Sequence, residues 1–125
     1  MKTVLVIDDD PEIIEVVSQM VAAHGFKTIT ATDEASAIEI VNNGQQIDLA
    51  IVDFWIGTEP ALKLLNAIKL HRASMPVMVM SGGGGGDISL EVAHTVSLVS
   101  GATQFIQKPF KRDDLLSKID QLLTE

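Results

Sequence analysis

A chain of 125 residues, 46% of them hydrophobic, is long enough for one domain with a real core and too short for two. Its net charge of -8 excludes a nucleic-acid surface and an anionic-membrane surface, both of which need clustered Lys and Arg, and points to a protein or a metal as partner. Without cysteine there is no disulfide framework and no thiolate chemistry, and the apolar run in MKTVLVIDDD is too short for a signal peptide or a membrane span, so the expected compartment is the cytoplasm.

Val4 to Ile7 is apolar without alternation and predicts a strand buried on both faces. Asp8, Asp9 and Asp10 end it, with Asp10 placed as N-cap and Pro11 at the first helical position. Ile13, Val16, Val17, Met20 and Val21 recur at helical spacing as far as Gly25, a left-handed stop. Lys27 to Ala31 is a short alternating strand, and Asp33 caps a helix carrying Ala37, Ile38 and Val41 that closes at Asn42, Asn43 and Gly44. Leu49 to Asp53 is a second unbroken apolar run, ending on one carboxylate. A helix beginning near Pro60 is expected to bury Leu64, Leu65 and Ile68. Pro76 opens a strand from Val77 to Met80, which runs into Ser81 and five glycines, Gly82 to Gly86. A helix from about Asp87 to Ser100 stops at Gly101, and Thr103 to Gln107 is the last strand. Beyond Lys108, Pro109 and Phe110, a final helix carries Leu115, Leu116, Ile119, Leu122 and Leu123. Five strand-helix units in strict alternation predict an α/β domain over residues 1–125, with a parallel sheet covered by helices on both faces.

In open sheets of this kind ligands bind beyond the carboxyl ends of the strands. Those ends carry Asp8 and Asp9 on the first strand, Asp53 on the third, Ser81 on the fourth and Lys108 on the fifth. Three carboxylates on one rim repel by roughly 3 kcal/mol per pair at a gap of about 5 Å and an effective dielectric near 20. A positive partner should offset them. Oxygen ligands suit magnesium, Lys108 adds a point charge for a phosphoryl oxygen, and Ser81 adds a hydroxyl donor. Singly, each residue has a plainer reading as a cap, a turn residue or a surface lysine; the case rests on their common placement. His24, His71 and His94 fall on three helices without ligand-like spacing and read as surface or packing residues. The glycine run meets any phosphate-cradle pattern trivially and lacks a following Lys-Ser or Lys-Thr pair, so a mobile loop beside Ser81 is expected there.

Through VLVIDDDPE at the first strand, LAIVD at the third, PVMVMSG at the fourth and FIQKPF at the fifth, the whole chain resembles the receiver domain of two-component response regulators. The resemblance implies a flavodoxin-like doubly wound sandwich with strand order 2-1-3-4-5. It implies that Asp53 is the phosphoacceptor, that Asp9 binds Mg2+ directly, that Asp8 helps hold the ion through water, and that the backbone carbonyl of Trp55 is a further ligand. Ser81 and Lys108 would bind phosphoryl oxygens, Ser81 and Phe105 would move as the switch, and the Lys108 to Pro109 bond would be cis. The implied donor is a histidine kinase or a histidine phosphotransfer protein, and the output is a downstream protein or an attached output domain, with no direct nucleic-acid or membrane partner. On this reading the chain is no enzyme beyond catalysing its own phosphorylation and dephosphorylation.

Similar domains usually have Pro four residues after the phosphoacceptor and Gly eight after; Gly57 and Ala61 stand there, so a looser loop is expected. Trp55 either shields the phosphoryl group from water, meets a partner, or rests on the loop's apolar surface. An aspartyl-nucleophile phosphatase is disfavoured because Glu12 replaces the Thr of a D-x-D-x-T pattern, and a flavin protein because the first-loop acids would repel the cofactor phosphate. The alternative that stays open is a degenerate receiver that binds partners without phosphorylation.

Overall fold

The computed structural model describes residues 1–57, 59–82 and 96–123. Five parallel strands form one sheet: β1 (Thr3–Ile7), β2 (Lys27–Ala31), β3 (Leu49–Asp53), β4 (Val77–Ser81) and β5 (Gln104–Gln107), in the spatial order β2-β1-β3-β4-β5. The strands β1, β3 and β4 are buried along their whole length, whereas β2 and β5 are partly exposed edges. Burial thus follows the sequence pattern, since unbroken apolar runs lie inside the sheet and polar residues return at its margins.

Alternation along the central strands divides the core in two. Leu5, Ile7, Ala50, Val52, Val77 and Val79 face helices α2 (Glu34–Asn42) and α3 (Leu62–His71). Val4, Val6, Leu49, Ile51, Met78 and Met80 face α1 (Pro11–Ala23) and the C-terminal helix (Arg112–Leu123). This is the doubly wound, three-layer sandwich that the alternating pattern predicts. Residues 96–99 are helical; the remainder of that predicted helix, 87–95 with His94, and the glycines after Gly82 lie outside the described residues.

The caps follow the chemistry of the sequence. Asp10 accepts from the Glu12 N–H at 2.9 Å and precedes Pro11 at the first helical position. Asp33 accepts from the Ser36 N–H at 2.7 Å, which holds its carboxyl below the usual range. Gly25, Gly44 and Gly101 all have positive φ where helices stop. The helix α3 is capped differently. Ala61 supplies no side-chain bond, and the N–H of Leu64 instead donates to Glu34 Oε2 at 3.1 Å, a residue of α2. At the far ends Arg72 Nε donates to the Val41 carbonyl at 2.8 Å, so each of these two helices satisfies backbone groups of the other.

Three expectations need correction. Val16, placed on the apolar stripe of α1, is 47% exposed, because only Val17 and Val21 of that helix are fully covered. Pro60 does not begin a helix: Trp55–Ile56 pairs antiparallel with Glu59–Pro60, the N–H of Ala61 closes the turn onto the Phe54 carbonyl at 2.8 Å, and α3 starts at Leu62. The loop expected to be loose is therefore a hydrogen-bonded hairpin. His24 is surface-placed as expected, and its Nε2 lies 3.0 Å from Asp120 Oδ1, joining the end of α1 to the C-terminal helix.

Candidate functional site

The rim beyond the carboxyl ends of the strands is set by the last rungs of the sheet. The N–H of Asp8 donates to the Ala31 carbonyl at 3.3 Å, that of Phe54 to Met80 at 2.8 Å, and that of Lys108 to Ser81 at 2.9 Å. Asp8, Asp53, Ser81 and Lys108 thus stand on backbone tied to a neighbouring strand, whereas Asp9 lies one residue further out. The bond between Lys108 and Pro109 is cis.

The structure brings Asp8, Asp9, Asp53 and Lys108 together. One carboxylate oxygen from each of the three acids lies within 4.8 Å of the other two. Asp8 and Asp53 are buried, at 1% and 6% exposure, and Asp9 is exposed. Lys108 Nζ reaches Asp8 Oδ2 at 2.8 Å and Asp53 Oδ1 at 3.4 Å. The second oxygen of Asp8 accepts from the Asp10 N–H at 2.9 Å. Asp9 Oδ2 accepts from the N–H of Gly57 at 2.8 Å, a backbone donor carried across by the hairpin.

Burial first, and then the charge of Asp8, push the Asp53 carboxyl up to about 7; Lys108 and the backbone N–H of Trp55 pull it back down without prevailing. Desolvation presses the Lys108 ammonium down, but its hydrogen bond to Asp8 and the charges of Asp53 and Asp8 together hold it above its ordinary value. The site therefore holds one more buried acid than its lysine can neutralise. Oxygen donors converging in this way, with an excess of negative charge, fit a hard divalent cation.

Ser81 is fully buried at the end of β4, in register with Gln107 beside Lys108. Phe105 is half-buried and packs with the core on the α2 and α3 side, opposite Val79 in the sheet. Trp55 is half-buried, with its ring edge-on to the fully buried ring of Phe54 at 5.1 Å. The sequence reading missed the donor function of Gly57; the only trace it leaves in the sequence is a glycine where similar domains have proline.

Among the described residues no helix is long and apolar enough to cross a membrane. The chain is 33% identical over 125 residues to the regulatory protein VirG of Rhizobium rhizogenes, covering all of this chain and 49% of that protein. It is 31% identical over 115 residues to the nitrogen assimilation regulatory protein NtrX of Azorhizobium caulinodans, covering 90% of this chain and 24% of that protein. It spans about half the length, or less, of the curated relatives it matches. Among solved structures, the CheY-like receiver domain protein of Methanospirillum hungatei superposes with a TM-score of 0.86 at 30% identity, over 98% of this chain and 94% of that one. The receiver domain of NtrX from Brucella abortus gives 0.84 at 31% identity, over 98% and 99%. The family model of the response regulator receiver domain matches residues 4–120, and with the sheet order and the rim of acids this places the chain in that family: it is a response regulator receiver domain protein.

Proposed function

We propose that this chain is a phosphorylatable cytoplasmic switch in which Asp53 accepts a phosphoryl group from a histidine kinase or a histidine phosphotransfer protein. The observation that carries this is the convergence of Asp8, Asp9 and Asp53 within 4.8 Å on one rim, with Lys108 Nζ between two of them. Asp8, Asp9, Asp53 and the backbone carbonyl of Trp55 would hold Mg2+, whose charge offsets that of the acids and of the transferring group.

The ionised Asp53 oxygen attacks the phosphorus, the bond from phosphorus to the partner's imidazole nitrogen breaks, and an aspartyl phosphate forms. Lys108 is already tethered to the buried Asp8, so its ammonium sits at the rim before the phosphoryl group arrives. Ser81, on the adjacent strand end, donates its hydroxyl to another phosphoryl oxygen. The new group adds close to two negative charges beside Ser81, and Phe105 on the edge strand follows that displacement to alter a protein-binding surface. Most of the catalysis is placement and electrostatics, which suits a rim whose backbone is held by sheet hydrogen bonds.

Intact mass after incubation with acetyl phosphate tests this, with and without Mg2+, on the wild type and Asp53→Asn. A single phosphoryl adduct requiring both Mg2+ and Asp53 is expected. No adduct would leave a phosphorylation-independent protein-binding module as the reading.

A further inference from the structure

Of the three acids, Asp8 is held by Lys108 and by the Asp10 N–H, and Asp53 by Lys108, whereas Asp9 stands exposed at the outer edge. What fixes Asp9 is the N–H of Gly57, 2.8 Å from Oδ2 and 48 residues away in the chain. A proline four residues after the phosphoacceptor, the usual residue in similar domains, has no N–H and could not make this bond. Gly57 makes it at a φ of +70°, a conformation that side chains rarely adopt, although nothing lies within 4 Å of where a Cβ would stand. The constraint there is the backbone angle, not space. The hairpin that closes from Ala61 onto Phe54 aims the N–H at Asp9.

This bond restricts how Asp9 can ligate. With Oδ2 accepting from Gly57, Oδ1 is the oxygen without a bond to the chain, and a cation chelated by both oxygens would compete with the Gly57 N–H for Oδ2. Mg2+ demands near-octahedral geometry and few protein ligands, while Ca2+ takes six to eight oxygens and uses bidentate carboxylates readily. We propose that Gly57 is a positioning residue that holds Asp9 to single-oxygen ligation and so favours Mg2+ over Ca2+ at this site. The inference rests on the metal site proposed above.

The test titrates the metal-free full chain with Mg2+ and with Ca2+, followed by the fluorescence of Trp55, the single tryptophan, and by calorimetry. Gly57→Asn keeps the N–H and tolerates a left-handed φ; Gly57→Pro removes the N–H. Wild type and Gly57→Asn should share one ratio of Mg2+ to Ca2+ affinity, and Gly57→Pro should lose on the order of tenfold of that preference, the scale on which outer partners of a metal ligand act. Mere disruption of the loop would weaken both ions alike, so an unchanged ratio in Gly57→Pro overturns the inference, as does an equal loss in Gly57→Asn. If proline prevents folding, an ester in place of the peptide N–H of Gly57 in a semisynthetic chain removes the same donor at unchanged φ, and the same ratio decides. A wild type that takes up no Mg2+ defeats the metal site itself and this inference with it, whereas normal Mg2+ binding with an unaltered ratio defeats only the role of Gly57.

Discussion

Asp53 can be probed without any partner, through the pH dependence of stability. Its carboxyl has an ordinary value of 3.8 and is pushed up to about 7 in the folded chain, so between these values the native state binds a proton that the unfolded chain has released. The stability that comes with the neutral acid is fully present below pH 3.8 and is lost as pH rises to about 7. At about 1.4 kcal/mol per pH unit the interval corresponds to about 4 kcal/mol, an upper bound because Asp8 and Lys108 share the same charge balance. Asp53→Asn removes the titration and keeps the shape. With EDTA present, the variant should exceed the wild type by about 2 to 4 kcal/mol at pH 8 and approach it near pH 4. Urea denaturation at a series of pH values, read by Trp55 fluorescence, measures both curves. Added Mg2+ should close the gap at pH 8 by raising the wild type. Parallel profiles for the two proteins, or a variant weaker than wild type at pH 8, would refute the account of a buried, undercompensated acid.

Other perturbations reach other parts of the structure. Lys108→Ala leaves Asp8 and Asp53 facing each other without a cation and should cost roughly 3 kcal/mol at pH 8, less at pH 5, with Asp53→Asn restoring part of the loss; equal costs at both pH values would argue against the pairing. Glu34→Ala removes the cap that α2 lends to α3 and should destabilise by about 1 kcal/mol in denaturant titrations, while Glu34→Gln, which keeps an acceptor, should lose less. Trp55→Ala should change the lifetime of phosphorylated Asp53, measured as decay of the adduct by intact mass; an unchanged decay rate assigns the ring to packing against Phe54 alone.

The sheet was legible because burial on both faces leaves an unmistakable mark: Val4 to Ile7, Leu49 to Val52 and Val77 to Met80 carry no polar residue, and all are buried strands. Caps at Asp10 and Asp33 and stops at Gly25 and Gly101 were equally plain, since their chemistry acts within a few residues. The acids and Lys108 could be assigned to one rim from strand ends alone, and the structure gathers the three acids within 4.8 Å and pairs Lys108 with Asp8 and Asp53. What escaped is long-range or borne by the backbone. Periodicity marks the centre of a helical stripe and not its margin, so Val16 reads as inward although it is exposed. Proline signals the start of a helix and the edge of a hairpin equally well, and Pro60 took the second course. A peptide N–H such as that of Gly57 has no signature in a pattern of side chains, and the bond from Leu64 to Glu34 joins residues 30 apart.

The reciprocal bonds between α2 and α3 make the pair a single lever. Glu34 grips the start of α3 and Arg72 grips the end of α2, so neither helix can slide along its axis without breaking a hydrogen bond to the other. The first turn of α3 follows directly on the hairpin that holds Asp9. A shift of the hairpin that moved α3 would have to carry α2 with it or break these two bonds, and the exposed flank of α2 supplies no residue to the rim. Substitutions at Glu34 or Arg72 would cut that mechanical link while leaving the chemistry of the rim in place.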